Sequence, residues 1–342
     1  MSTIKDVANL SGLSLGTVSN YINGRTVSAE NARLIESAIR ELDYIPNQIG
    51  RSLRSGETKT IGIITKDISA KFISEMTATL EHELSERNYS VIFCNSDMNL
   101  QTEQKNINYL IGISVDAIIL FPCEYYKTDV SYAVNRNIPV ILCDEDLYKN
   151  SEKCFKVLFE NEKLAYESVK LLIEKGHRNI ACLCGVESHY SSVTRISGYK
   201  KALAEYGIPF SEDNVFYGDF DNTISFQNTL DYFKRSKGTT AVMITSNNML
   251  VGFLKALEHL NLKAGKDVSY ITFAYSEYYE ILNPQPFYVF ENIEQFSIQL
   301  SELVTKILKN HLNPDESSYV YCSASIVEGT SIAEITPQPQ HR

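Results

Sequence analysis

Gly12-Leu13-Ser14-Leu15-Gly16-Thr17-Val18-Ser19 joins two short runs of apolar residues at helical spacing, and it dictates how the first fifty residues are built. Upstream, Thr3 with Asp6 three residues on is a capping signal, and Ile4, Val7, Ala8 and Leu10 follow the helical period. Gly12 stops that helix after barely two turns. Ser14 caps a second helix carrying Val18 and Ile22, and Asn23-Gly24 ends it. Ser28 caps a third, in which Leu34, Ile35, Ala38, Ile39 and Leu42 form the stripe that covers the first two, and Pro46 requires it to end. Two helices this short around one tight turn make a helix-turn-helix, whose second helix fits a DNA major groove. This pattern predicts Ala8, Val18, Ile22, Ile35 and Leu42 in the core, with Leu15, Gly16, Thr17 and Asn20 toward DNA. Ser14 and Thr17 are placed to donate to a phosphate, and Thr3 and Asn23 complete the expected DNA-facing set. The alternative is a three-helix bundle with no nucleic-acid role. The small, uncharged outer face of the second helix and the meagre core of forty residues favour a docked module.

Residues 47–56 form a polar, basic segment too short to hold a helix alone. Leu53 is its one large apolar residue near the end, a candidate wedge in a minor groove, and Asn47, Arg51 and Arg54 are candidates to reach the backbone. A flexible linker is the competing interpretation.

The chain has 342 residues, 44% hydrophobic and 22% charged, enough for a small domain and a larger folded body. Its formal charge of −10 argues against a nucleic-acid partner until it is divided. Residues 1–60 carry seven Lys/Arg against six Asp/Glu, and the remainder 25 against 36, so a weakly basic head precedes an acidic body. Apolar runs are strand-sized, far below the ~20 residues of a membrane helix, and the N-terminus lacks a secretory pattern, which predicts a cytoplasmic protein. Seven cysteines, mostly within apolar runs, suit buried thiols in a reducing compartment.

From residue 60 onward, strand-like runs (61–64, 91–94, 117–121, 140–143) alternate with helical ones (73–84, 104–111). The rhythm returns with helical runs at 164–174, 196–206, 226–233 and 251–260 and strand runs at 180–184, 215–217 and 241–245. Such alternation predicts βαβ units on two parallel sheets, with a ligand cleft at the strand C-terminal ends. Residues just past those ends are the pocket candidates: Asp67, Phe72, Tyr125, Tyr126, Asp144, Arg195, Asn247, Asn248 and Tyr275. Aromatics, a carboxylate and amides suit a polyhydroxylated ligand. A strand at 288–290 is expected to cross back between the subdomains, a helix to follow at 296–308, and a frayed tail to begin at Thr336. The chain has neither G-x-G-x-x-G nor G-x-x-x-x-G-K-S/T, so nucleotide-cofactor chemistry has no motif behind it. No H-E-x-x-H occurs; Cys182-x-Cys184 reads as core packing on one strand face, and His177 as a structural hydrogen bonder. No catalytic group, metal site or cofactor is expected.

Residues 3–55 resemble the head and hinge of the lactose/galactose-repressor (LacI/GalR) family of bacterial regulators. The resemblance rests on Asp6-Val7-Ala8, the Gly12–Ser19 run and Tyr44-Ile45-Pro46-Asn47. It continues through Ile61-Gly62-Ile63-Ile64, Gly176-His177-Arg178-Asn179-Ile180-Ala181 and Arg195-Ile196-Ser197-Gly198-Tyr199, to about Thr330. It implies a head at 1–45, a hinge at 46–58, and a periplasmic-binding-protein-like body at 59–335. In that body 59–160 with 291–325 form one α/β subdomain, and 161–290 with 326–335 the other. It further implies a homodimer, or a dimer of dimers, on a pseudo-palindromic DNA operator, repressing a carbohydrate-utilisation operon under a small effector, a sugar or sugar derivative. Leu15 and Gly16 match the family's leading base readers, Leu53 its minor-groove leucine, and Arg195 and Asn247 its effector-contacting residues. The departures are Asn20 in place of an arginine, Asn248 in place of an aspartate, Ala274 where an aspartate clamps the ligand, and Ile326-Val327-Glu328-Gly329 in place of a closing L-V-x-R. They leave room for a non-sugar metabolite or a protein co-regulator. The competing class is a ligand-binding module without a DNA role.

Overall fold

A computed structural model describes residues 2–45, 56–236, 238–314 and 319–335. The chain divides into two compact units, Met1–Thr58 and Lys59–Arg342. The hinge candidates Asn47, Arg51, Leu53 and Arg54, and the tail from Thr336, lie outside the described residues.

In the first unit, α1 (Ile4–Ser11), α2 (Leu15–Ile22) and α3 (Ala29–Glu41) start and stop where the sequence signals place them. Thr3 and Asp6 form a reciprocal capping box, and Gly12 adopts the left-handed φ of 68° that lets the chain leave α1. Ser14 and Ser28 cap α2 and α3 by accepting the N–H groups of Thr17 and Asn31. Val7, Ala8, Val18, Ile35, Ala38 and Tyr44 are buried, with Ile22 and Leu42 packed against them only partly covered. Leu34, placed in the covering stripe of the third helix, and Leu10, on the helical period of the first, are each 44% exposed. So small a bundle buries one narrow seam, and residues a step off its centre stay wet.

The second unit holds two six-stranded sheets. The first contains β1 (Thr60–Thr65), β2 (Ser90–Asn95), β3 (Ala117–Leu120), β4 (Val140–Cys143) and β5 (Phe155–Phe159), with helices α4 (Lys71–Glu86), α5 (Leu100–Gly112) and α6 (Ser131–Val134) between them. After α7 (Asn161–Glu174) the second sheet is built from β6 (Ile180–Cys184), β7 (Val215–Tyr217), β8 (Ala241–Ile244), β9 (Ser269–Phe273) and β10 (Phe287–Glu291). Its helices are α8 (Tyr190–Glu205), α9 (Asn222–Arg235) and α10 (Asn247–His259). Next, α11 (Ile293–Asn310) packs against α4, β11 (Tyr319–Cys322) joins the edge of the first sheet and β12 (Ala324–Val327) that of the second. The sheet orders are β11-β5-β4-β3-β1-β2 and β12-β10-β9-β8-β6-β7, parallel throughout except for the antiparallel β10–β12 pair.

The chain therefore passes between sheets three times: after β5, after β10, and at Ser323 between β11 and β12. The last passage falls two residues before the boundary expected after 325, because the antiparallel partner of β10 begins at Ala324. β10 does not itself cross; it is a strand of the second sheet and the crossing follows Glu291. Fully apolar β3, β4 and β8, buried on both faces, have the composition required of central parallel strands. All seven cysteines are free, and Cys182 and Cys184, with sulfurs 3.3 Å apart on one face of β6, are core residues. His177 is buried between the Thr240 hydroxyl (2.9 Å) and the Ala333 carbonyl (3.2 Å), and burial holds its pKa below the usual histidine range.

Candidate functional site

In the head, α2 presents Leu15, Gly16 and Asn20 on its exposed face, while Val18 anchors it from beneath. Leu15 is 44% exposed, no more than Leu10 and Leu34. Ser14 both caps the helix and shares a 2.9 Å hydrogen bond with Thr17, so the two hydroxyls at its N-terminus are held together. Asn23 donates its amide hydrogens to the Ser19 carbonyl and hydroxyl, closing the other end. Thr3 is occupied by its capping box with Asp6. Tyr21 ties α2 to α3 by donating to Glu36 at 2.5 Å.

In the body, the loops after β1, β4, β7, β8 and β9, together with the first turns of α4, α8 and α10, enclose a cavity of about 130 Å³. Past Lys71, Phe220, Asn247 and Asn248 it widens into a mouth of about 350 Å³ edged by Asp221, Ser276 and Tyr278. Of the sequence candidates, Phe72, Asp144, Arg195, Asn247 and Asn248 line the cavity.

Asp67, Tyr125 and Tyr275 do not. Asp67 folds back to accept the N–H and hydroxyl of Ser69 at 2.8 and 2.7 Å. Tyr125 is drawn into a cluster with Tyr126, Tyr148 and Tyr190. Tyr275 packs on Tyr279 and Tyr288 and donates to Glu280. For each, a local partner outcompetes the cleft.

The sequence did not single out Lys66, Glu145, Ser191, Phe220 and Glu291, which also line the cavity, as does Ala274. Glu291 is the last residue of β10, so the strand-end rule that selected Asp144 reaches it once the strand is extended one residue past 290. The Glu145 carboxylate takes Lys66 Nζ at 2.9 Å and, from the opposite subdomain, the Ser191 hydroxyl at 2.8 Å. Burial alone would raise its pKa, but Lys66, the neighbouring His189 and these hydrogen bonds outweigh that and hold it below the usual range. His189 is buried 3.8 Å from Glu145, and burial with Lys66 nearby lowers it to about 4, so at neutral pH this contact is not an ion pair.

Arg195 donates from all three of its nitrogens. Its Nε donates to Asn161 Oδ1 (2.8 Å), Nη1 to the Thr245 carbonyl (2.5 Å) and Nη2 to Glu291 (2.8 Å), and its plane lies 4.1 Å from the Phe273 ring centre. Asn161 starts the segment after the first crossing, and Glu291 immediately precedes the second. Asp144 is the contrast: its Oδ1 is enclosed with no hydrogen-bond partner among the described residues. Burial, reinforced by the charge of Glu291 and opposed by Arg195, pushes this carboxyl up to about 7.

Among the described residues no cluster of His, Cys, Asp and Glu is arranged to hold a metal, and no helix is long and apolar enough to cross a membrane.

Residues 3–47 match the family of bacterial regulatory proteins named for lacI, and residues 61–278 match the periplasmic binding protein domain. The HTH-type transcriptional repressor PurR of Vibrio atlanticus is 30% identical over 285 residues, covering 83% of this chain and 85% of that protein. Catabolite control protein A of Priestia megaterium is 27% identical over 308 residues, covering 90% and 92%. Among solved structures, the lac repressor dimer bound to operator and the anti-inducer ONPF superposes with a TM-score of 0.83 at 21% identity, over 97% of this chain and 99% of that one. The complex of the regulator CelR with cellobiose superposes at 0.73 and 23%, over 97% and 100%. The capped α2 with its exposed face, the two-sheet body with a polar cleft and these matches converge: the chain belongs to the LacI/GalR family of bacterial transcriptional regulators and is a sequence-specific DNA-binding regulator, not an enzyme.

Proposed function

We propose that the protein represses a carbohydrate-utilisation operon by binding a pseudo-palindromic operator as a homodimer, and that a small polyhydroxylated effector in the body's cleft controls it. The observation that carries this reading is Arg195, a cleft residue bonded both to Asn161 after the first crossing and to Glu291 before the second. A ligand competing for Glu291 or the Thr245 carbonyl acts on segments joining the subdomains, which is how a small molecule shifts a two-state body. Phe72 and Phe220 offer apolar faces for a sugar ring; Asn247, which donates to the Tyr275 carbonyl at 3.3 Å, keeps its amide oxygen for a hydroxyl. The fold neighbour that carries cellobiose and the operator-bound dimer support the ligand class and the assembly. A carbohydrate panel screened by thermal shift on the full chain, followed by operator binding with each hit, tests the proposal. Stabilisation with altered operator affinity, both lost in Arg195→Ala, is expected. Hits that leave operator affinity unchanged would refute effector control.

In the head, Leu15 and Gly16 read by apolar contact and close approach, and Asn20 reads an adenine edge. Asn20→Arg is expected to move selected operators from A·T to G·C at one step per half-site. An unchanged selected sequence refutes the contact.

A further inference from the structure

The cations around the cleft are already matched. Lys66 lies 2.9 Å from Glu145, Arg195 lies 2.8 Å from Glu291, and Lys71 stands between Glu75 at 3.5 Å and Glu277 at 3.7 Å. Arg195 directs one N–H from each of its three nitrogens at a protein acceptor, with its charge matched by Glu291 and its face on Phe273, and keeps one further N–H on each Nη. The remaining group is Asp144, whose enclosed Oδ1 accepts no hydrogen bond among the described residues, and the charge of Glu291 acts on it. An enclosed carboxylate without a partner is costly, and the deficit is one positive charge. The first turns of α4, α8 and α10 also border the cavity; their N–H groups can donate to ligand oxygens, and the anion-favouring pull of their dipoles is opposed there by the enclosed carboxylate of Asp144. An anionic ligand there would meet Asp144.

We propose that the effector is an aminated polyol, whose protonated amine docks on Asp144 beside Glu291 while its hydroxyls face Asn247 and the helix N-termini. This rests on the effector reading above and adds the charge of the ligand. A primary ammonium supplies N–H donors and the missing charge together. Asp144, Glu291 and Arg195 then form an alternating set in which Arg195 keeps Glu291 while the ligand takes Asp144.

The test uses titration calorimetry on the full chain with matched probes in the gluco, galacto and manno configurations: 1-amino-1-deoxyhexitols against hexitols, 2-amino-2-deoxyhexoses against hexoses, and hexonates as the acidic members. At about pH 8, where Asp144 is ionised and the alkylammonium of a 1-amino-1-deoxyhexitol remains charged, one such probe is expected to bind at least about tenfold tighter than its hexitol. That preference should shrink toward about pH 6, as Asp144 takes up a proton. Asp144→Asn is expected to bring the ratio of aminated to neutral affinity down to about one, and Glu291→Gln to reduce it, which covers the case in which one variant fails to fold. Neutral sugars binding as well as or better than amines would overturn the inference and leave the effector reading standing, as would tightest binding of a hexonate. If no probe of any charge binds, both fall.

Discussion

Asp144 occupies the left-handed region at φ 56°, just past the end of β4, where its carboxyl is enclosed beside the Arg195–Glu291 pair. Asparagine tolerates that backbone better than most residues and lacks the charge. Because the folded carboxyl titrates at about 7 and an unfolded one near ~4, the native state retains a proton between these values that the unfolded chain has lost. Stability contributed at this position is therefore lost as pH rises through that window. Asp144→Asn should stabilise the ligand-free chain by about 1–3 kcal/mol at pH ~8 and by almost nothing at pH ~4. Thermal melts of both proteins across this range check it, and a gain that grows toward acid would contradict the assignment.

Among the elements, the α7–α8 pair depends on the absence of a side chain. A Cβ placed on Gly198 would lie 2.0 Å from the Glu162 carbonyl oxygen and 2.8 Å from the Tyr166 N–H nitrogen, both rigid backbone of α7. Helices this close cannot separate without moving Arg195, three residues away on α8, from Asn161 at the start of α7. Gly198→Ala should cost about 1–3 kcal/mol through overpacking, and it should also weaken effector response. Denaturant melts and ligand titration measure the two separately. An unperturbed midpoint would show that the helices part freely.

Across the molecule, Glu145 is the clasp. It belongs to the first subdomain but accepts the Ser191 hydroxyl at 2.8 Å and the Ser191 N–H at 3.4 Å from the second, with Lys66 as its counterion. Glu145→Gln removes the charge and leaves Lys66, only 15% exposed in its side chain, without its ion-pair partner. The expected loss is about 2–4 kcal/mol, with faster amide hydrogen exchange at the start of α8 than in its middle. Uniform exchange along α8 would mean that the contact does not hold the cleft shut.

What rests on local chemistry is legible in the sequence. The Thr3–Asp6, Ser14 and Ser28 caps, the Gly12 stop and the apolar runs of β3, β4 and β8 each depend on neighbours within a few residues, and periodicity exposes them. The strand-end rule found Phe72, Asp144, Arg195, Asn247 and Asn248 for the same reason. The charge of the cleft is set by contacts between distant parts of the chain. Glu145, Ser191 and Glu291 are separated by 46 to 146 positions along the chain, and nothing local distinguishes them from surface residues. Asp67, Tyr125 and Tyr275 satisfied the same rule and were captured by Ser69, by a tyrosine cluster and by Glu280. Which polar group is matched and which is left unpaired is a sum over long-range contacts, and folding brings those contacts into being.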